Sequence, residues 1–238
     1  MLRGSKGSEG QSIGNAVIKI KCVMNLSFLF EISRDHFVEV AAELMNHYCI
    51  IKNDSRDKND VIYRFAEIEF YFYDSQEPDV DVVTYNRDCK CVEWFFHKSG
   101  VDIAFVTQCE DNELERFGGI LIRGIEIYRR DALGEWKFVG VVGGPRLAMF
   151  EIFNHCCGMP DVIAIPDTFE KGRSIRVTSR VGMEDQLPQR FVFDDVNWSM
   201  ETESIIERKD EYGKYHVLLE KSARKYTPAF EHDYGLSM

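Results

Sequence analysis

The segment from Ile62 to Tyr73 constrains the fold of this chain more than any other stretch. Its aromatic and β-branched side chains favour a β-strand. Because successive side chains of a strand point to opposite faces, strict alternation predicts one face that is apolar apart from Arg64. The same alternation predicts that the second face carries two carboxylates among aromatic rings, at Tyr63, Phe65, Glu67, Glu69, Tyr71 and Tyr73.

Two carboxylates on an aromatic strand face have two interpretations. Glutamate is depleted in strands and is costly to desolvate, so its presence there asks for a reason. One reason is chemical, since a carboxylate beside tyrosines is what a site needs to activate water next to a flat ligand. The other is that Glu67 and Glu69 lie on the solvated side of an antiparallel sheet. The residues alone leave both interpretations open.

The rest of the chain predicts one helix before this strand and several strands after it. Apolar residues recur at helical spacing after Ser33 and Asp35, which are common N-cap types, and the helix stripe is Phe37, Val40, Ala41, Leu44, Met45 and Tyr48. A second helix is expected to begin at Pro145. Further strands are predicted at residues 17–23, 92–97, 101–105, 118–128, 175–181 and 190–193. These elements predict an α+β fold in which helices flank a mostly antiparallel, curved sheet.

The 238 residues are predicted to form one domain behind a short leader. Residues 1–15 are rich in glycine and serine, which predicts a flexible segment. Residues 16–238 show neither an internal repeat nor a change of composition that would mark a domain boundary. No secondary structure is predicted for the tail after about residue 212.

Arg123 is a second charged residue in an unusual position, since its predicted strand face is otherwise apolar. Alternation along its strand places it on an apolar face with Leu121, Ile125 and Ile127. A guanidinium group does not give up its proton, so an arginine on such a face needs a carboxylate partner. The sequence offers Glu69 and Asp102 as candidates.

The charge balance argues against non-specific binding to nucleic acid. Asp and Glu number 40 against 29 Lys and Arg, which gives a formal net charge of -11. Such binding draws most of its free energy from basic side chains at phosphates. A chain this acidic must concentrate its basic residues on one face if DNA is its partner.

Composition predicts neither a metal site nor a membrane span. The seven cysteines are an odd number without the spacing of a disulfide framework, which predicts reduced thiols and a cytoplasmic protein. Cys89-x-Cys91 and His155-Cys156-Cys157 lack a second pair at the spacing of a structural zinc site. No run of apolar residues is long enough to cross a bilayer. No nucleotide or dinucleotide fingerprint is present, so no cofactor is expected.

Several short motifs follow one another in an order that resembles the alkyladenine (3-methyladenine) DNA glycosylase family. That family has a Glu-x-Glu-x-Tyr strand, an aromatic hairpin, an apolar strand with an arginine and a Gly-Pro helix start. The resemblance covers most of residues 37–198. The segments that carry it are Ala66-Glu67-Ile68-Glu69-Phe70-Tyr71, the hairpin up to Val101-Asp102-Ile103, Ile120-Leu121-Ile122-Arg123, Gly144-Pro145-Arg146-Leu147, Ser179-Arg180-Val181-Gly182 and Pro188-Gln189-Arg190-Phe191 before Trp198.

The resemblance implies a role for each matching residue. Glu69 matches the glutamate that activates water, and Arg123 matches the arginine that helps to hold that water. Tyr71 matches an aromatic residue that stacks on an extruded base, and Phe95 or Phe96 falls near another. The implied reaction is attack of water on the anomeric carbon of the sugar as the base leaves.

This chain departs from the family pattern at three places. Tyr85 stands where the family has a stacking histidine, and Asp102 stands where it has a neutral asparagine that reads the base. The hairpin tip at His97 and Lys98 is shorter than the tip with which the family wedges open the duplex. A negative charge in the pocket and a short wedge weaken the expectation of duplex DNA as substrate.

The sequence therefore predicts a hydrolase of the N-glycosidic bond of a modified purine, as in base-excision DNA repair. Two alternatives remain open at this point. One is a hydrolase of small nucleoside-like molecules, which suits the net charge. The other is a non-catalytic protein that binds a base or nucleotide on the same fold. The expected partner is DNA or a small purine-like ligand.

Overall fold

The computed structural model describes residues 26–30, 32–56, 59–78, 81, 83–84, 89–110, 114–181, 183 and 189–198, with the backbone alone for 106–110 and 114. The predicted leader of residues 1–15, the predicted strand 17–23 and the tail after residue 212 lie outside these ranges.

Nine strands of the described chain form one sheet in which every pairing is antiparallel. The order is β3-β4-β5-β2-β1-β7, while β6 pairs with β5, β9 pairs with β2, and β8 pairs with β9. The fold is α+β and dominated by this open sheet, as predicted. The strands are β1 (Tyr48–Asn53), β2 (Asp60–Asp74), β3 (Trp94–His97), β4 (Gly100–Glu110), β5 (Leu114–Arg130), β6 (Trp136–Gly143), β7 (Asp161–Ala164), β8 (Ile175–Thr178) and β9 (Arg190–Phe193).

Two helices contribute to the same apolar core and therefore cover the same face of the sheet. Helix α1 (Phe37–His47) buries the stripe expected from its spacing except Tyr48, which is half-buried and begins β1. A short 3-10 turn, Arg34–His36, precedes the helix. Helix α2 (Pro145–Phe153) begins at the predicted proline, after Gly144, whose φ of 89° is in the region that favours glycine. No helix of the described ranges is long and apolar enough to cross a bilayer.

Strict alternation fails in the middle of β2, and this changes which side chains share a face. Pairing with β5 runs from Phe65–Ile125 through Glu67–Gly124 to Ile68–Ile122. This register leaves Ala66 on β2 and Arg123 on β5 without a partner in the ladder, which is the pattern of a β-bulge on each strand.

The two bulges move several residues from their predicted faces. Tyr63 and Phe65 belong to the core under the helices, so the prediction that they share a face with Glu67 and Glu69 is wrong. Ile125 and Ile127 also lie in this core, whereas Arg123 lies on the opposite face with Leu121. We call that opposite side the outer face, and it carries Arg64, Glu67, Glu69, Tyr71, Asp102, Leu121, Arg123 and Glu126.

The core between the sheet and α1 is a cluster of phenylalanine rings. The ring centroid of Phe70 on β2 lies 4.5 Å from that of Phe37 on α1, 5.9 Å from that of Phe105 and 5.4 Å from that of Phe191. These rings come from α1, β2, β4 and β9, so one residue connects four elements. Aromatic pairs at such distances add to the free energy gained from area burial.

We predict that Phe70→Ala lowers the free energy of unfolding by about 3–5 kcal/mol, because Phe70 is 0% exposed and its removal leaves a cavity among the other rings. Phe30→Ala is the matched control, since Phe30 is 53% exposed; its effect is expected to stay within about 0.5 kcal/mol. Urea unfolding followed by circular dichroism measures both. Equal effects of the two substitutions would contradict this description of the core.

Candidate functional site

One row of side chains crosses five strands on the outer face and positions the candidate site. Phe95 on β3 pairs with Asp102 on β4, which pairs with Leu121 on β5. Leu121 pairs with Glu69 on β2, and Glu69 pairs with Arg190 on β9. Directly paired residues point to the same side of a sheet, so the row brings two predicted carboxylates and one predicted aromatic residue to one surface.

Glu69 is the most enclosed carboxylate of this row. It is 1% exposed. Tyr71 Oη donates to its Oε2 at 2.9 Å, and the backbone N–H of Val181 donates to its Oε1 at 2.9 Å. Arg123 Nη1 also reaches Oε2, at 3.3 Å. Both carboxylate oxygens therefore accept hydrogen bonds from the protein, which fixes the orientation of the group.

Glu67 connects the two arginines of the site. Its Oε1 accepts from Arg123 Nε and from Arg190 Nε, at 2.8 Å in each case. Arg123 also lies 3.3 Å from Glu69 Oε1, measured from Nε. Arg123 thus contacts its predicted partner Glu69, but Glu67 binds it more closely. Two carboxylates and two guanidinium groups alternate here, so their charges balance.

Burial dominates the electrostatics of Glu69. Desolvation raises the pKa of this carboxyl above its ordinary value, Arg123 acts in the opposite direction, and the neighbouring charge of Glu67 raises it further. Arg123 therefore lowers the pKa of Glu69, but burial has the larger effect. The pKa of Tyr71 is raised well above its usual range, first by burial and then by Glu69, so this phenol keeps its proton and remains a donor.

Tyr71 has one face of its ring occupied. The guanidinium carbon of Arg180 lies 4.6 Å from the ring centroid, a cation–π contact. Arg180 is itself fixed by a buried ion pair, in which Nη1 donates to Asp81 Oδ2 at 2.9 Å. A flat ligand that stacks on Tyr71, as the resemblance implies, has only the other ring face available.

The hairpin between β3 and β4 places a histidine–aspartate pair at the other end of the row. His97 Nε2 lies 2.9 Å from Asp102 Oδ1, and the backbone N–H of Ser99 donates to His97 Nδ1 at 3.3 Å. An Nδ1 that accepts leaves the proton on Nε2, directed at Asp102. Asp102 therefore fixes the orientation of His97, while Lys98 at the exposed tip offers its carbonyl to Arg146 Nε at 2.9 Å.

The structure separates the two phenylalanines that were alternatives for the second stacking residue. Phe95 lies on the outer face, where its ring packs against His97 with centroids 5.8 Å apart. Phe96 lies on the opposite face against Phe153 of α2, at 4.7 Å, and is 49% exposed. Phe96 therefore does not belong to the site, because adjacent strand residues point in opposite directions. Tyr85 lies outside the described residues.

The burial of the carboxylates shows that they do not lie on a solvated face of the sheet. Glu67, Glu69 and Asp102 are all buried. The sequence assigns no role to Arg190 or Val181, which appear only within motifs, although Arg190 contacts both glutamates and Val181 donates to Glu69. No periodicity reveals such contacts, since β9 meets β2 only through the fold of the whole chain.

The described residues contain no group of three or more histidine, cysteine, aspartate or glutamate side chains that fits a metal ion. The cysteines described in the structure, Cys49, Cys89, Cys91, Cys156 and Cys157, are all free thiols. Neither protein-family models nor curated proteins gave a match to this chain.

We predict that Tyr71→Phe destabilises the protein by about 1.5–3 kcal/mol, because it removes a hydrogen bond to the buried carboxylate of Glu69. Tyr73→Phe is the control, since it keeps the stack of that ring on Phe117, whose centroid is 4.7 Å away. Its expected effect is below about 1 kcal/mol. Urea unfolding gives both values, and a Tyr71→Phe loss no larger than that of the control would show that the bond does not stabilise the fold.

A pH dependence follows from the burial of Glu69. Because the pKa is raised in the folded state, Glu69 contributes stability that is complete below its ordinary pKa of 4.5 and is lost as the pH rises through the native value. The free energy of unfolding of the wild type, minus that of Glu69→Gln, is therefore expected to decrease from about pH 4 upward and then level off. Urea unfolding of both proteins over this range measures it, and a difference that increases with pH would contradict the assignment.

Proposed function

We propose that this protein binds a nucleobase-like ring on the outer face and hydrolyses its N-glycosidic bond, with Glu69 as the general base. The supporting observation is the environment of Glu69. It is a buried carboxylate of raised pKa, oriented by Tyr71, Val181 and Arg123, on the same face as Phe95. The order of motifs that resembles the alkyladenine DNA glycosylases supports the same residue in the same role.

The chemistry balances with the groups of the site. A water oxygen forms a bond to the anomeric carbon, the bond from that carbon to the base nitrogen breaks, and the bond electrons leave with the base. The proton of the water goes to Glu69. A raised pKa suits this step, because a general base works best when its pKa approaches the working pH.

Arg123 has a positioning role in this proposal. Its Nε is held by Glu67, while its Nη1 faces Glu69. The guanidinium group therefore cannot turn away from the carboxylate without losing the bond to Glu67. A fixed positive charge at this place orients the lone pairs of Glu69 and the water that they bind.

The net charge of -11 and the acidic groups of the row favour a small nucleoside-like substrate over duplex DNA. Asp102 lies on the face proposed to contact the ligand, and a carboxylate accepts hydrogen bonds, so ring N–H and amino groups of the ligand are the matching donors. The basic groups near the hairpin tip, Lys98 and Arg146, are exposed and suit contact with a single phosphate or strand.

A second candidate function has a specific observation in its favour. Both oxygens of Glu69 already accept hydrogen bonds from the protein. A carboxylate that is occupied in this way suits an ion-pair network that holds a binding surface in shape. The second candidate is therefore a protein that captures a base or nucleotide on the outer face without hydrolysing it.

The deciding experiment is single-turnover base release from ethenoadenine and hypoxanthine, offered as nucleosides and within single- and double-stranded oligonucleotides. The wild type is expected to release base, and Glu69→Gln is expected to lose release by at least about 100-fold, the lower range for a general base. Glu151→Gln is the matched control, because Glu151 is as buried as Glu67 but lies in α2 on the opposite face of the sheet. It is expected to keep the wild-type rate.

Three outcomes distinguish the candidates. Release that depends on Glu69 supports hydrolysis, and the substrate that reacts identifies its class. Saturable binding of nucleoside or oligonucleotide without release by folded protein favours the capture function. Release that persists in Glu69→Gln contradicts the assignment of the general base.

A further inference from the structure

Arg64 on β2 is a buried arginine whose donors are only partly used. It is 2% exposed, and it is the largest of the fully buried side chains in the described part of the chain. Within the described residues, Nε and Nη2 have no hydrogen-bond partner. These two atoms carry three of the five N–H groups of a guanidinium group, which stays protonated in proteins.

The acceptor that faces Arg64 across the strands is taken by another arginine. Glu126 pairs with Arg64 in the ladder between β2 and β5. Its two oxygens accept from Arg173, with Nη1–Oε2 at 2.7 Å and Nη2–Oε1 at 2.9 Å. Tyr128 Oη also donates to Oε2, at 3.2 Å. Glu126 is therefore committed to Arg173. Tyr128 forms a side-chain hydrogen bond with Arg64, but among the described residues Nε and Nη2 of Arg64 have no partner.

Both arginines lie against one ring, which confines them to the same space. The guanidinium carbon of Arg64 is 5.3 Å from the Phe193 centroid, and that of Arg173 is 4.0 Å away. The two positive charges are close enough that Arg173 lowers the pKa of Arg64, second only to burial in effect. Cys49, which pairs with Arg64 on β1, adds no negative charge, because burial raises the pKa of its thiol to about 12.

The buried charges of this cluster do not balance. Arg64, Arg173 and Glu126 are all buried, which leaves one positive charge in excess. The second carboxylate, Asp195, binds Arg173 but its side chain is 56% exposed, so water screens its charge. Buried charges are normally paired, and unused buried donors normally find an acceptor.

We propose that Arg64 binds a small inorganic anion of the size of chloride, which accepts from Nε and Nη2 and neutralises the excess charge. An anion is favoured over water because it supplies the missing charge as well as the missing acceptor. The near-complete burial of Arg64 restricts the ligand to a small ion. The site lies on the outer face, separate from Glu69, and does not depend on the proposed reaction.

Bromide replaces chloride and is visible by anomalous scattering, so it is the probe. Crystals of the wild type grown with bromide in place of chloride are expected to show an anomalous peak within hydrogen-bonding distance of Arg64 Nε and Nη2. A peak of water height without anomalous signal at this place would overturn the proposal. This measurement does not need a variant, so it stands even if substitution of Arg64 prevents folding.

Thermal unfolding gives an independent test in solution. At constant ionic strength, exchange of gluconate for bromide is expected to raise the Tm of the wild type by about 2–4 °C relative to Arg64→Met, because a ligand of the folded state stabilises it. Arg130→Met, which removes an exposed arginine that donates to the carbonyl of Gly134, is expected to keep the wild-type response. An identical response of wild type and Arg64→Met would contradict the anion site.

Discussion

The paired bulges at Ala66 and Arg123 are the constraint on which the rest of the outer face depends. Each strand gains one residue at this point, so the side chains beyond it change faces relative to those before it. Without the bulges, Arg64 would lie in one layer and Glu67, Glu69 and Tyr71 in the other. With them, all four lie on one face, while Tyr63 and Phe65 complete the apolar core beneath the helices.

Bringing these charges to one buried face requires that each be compensated nearby. Glu67 holds Arg123 and Arg190 at 2.8 Å, and the same arginines approach Glu69. Removing one member of such a network leaves a buried charge uncompensated, which is more destabilising than never having the pair. The network therefore holds the site in one geometry. That rigidity serves a reaction or a binding event equally well, which is why the two candidate functions share a site.

The local sequence pattern predicts those helices and strands whose form does not depend on contacts with distant parts of the chain. The spacing of apolar residues predicts α1, Pro145 predicts the start of α2, and aromatic and β-branched residues predict β9. The N-cap types Ser33 and Asp35 do not cap α1, because a 3-10 turn intervenes and no side chain caps the helix. The polar cluster from Lys52 to Asp60 favours a turn, and this local pattern fails at Lys52. Lys52 is a buried residue of β1, where its Nζ donates to the carbonyls of Glu151 and Asn154 at 2.7 and 3.1 Å, at the end of α2. Only the folded chain supplies those acceptors.

Part of the candidate site was also predictable from the sequence, and part was not. The aromatic, carboxylate-bearing strand indicated Glu67 and Glu69 together, and the family resemblance singled out Glu69. Arg123 was indicated by its charge on a predicted strand face that is otherwise apolar. The bulges, the choice between Phe95 and Phe96, and the contributions of Arg190 and Val181 arise from contacts between elements distant in sequence. Neither periodicity nor composition reports such contacts.

The titration of Glu69 by carbon-13 NMR, with and without an ethenoadenine nucleoside or oligonucleotide, tests the central claim most directly. We expect its carboxyl resonance to titrate above the ordinary glutamate value of 4.5 and to shift when ligand binds. A resonance that titrates at or below the ordinary value and does not change with bound ligand would show that Glu69 is neither a buried base nor part of the ligand site.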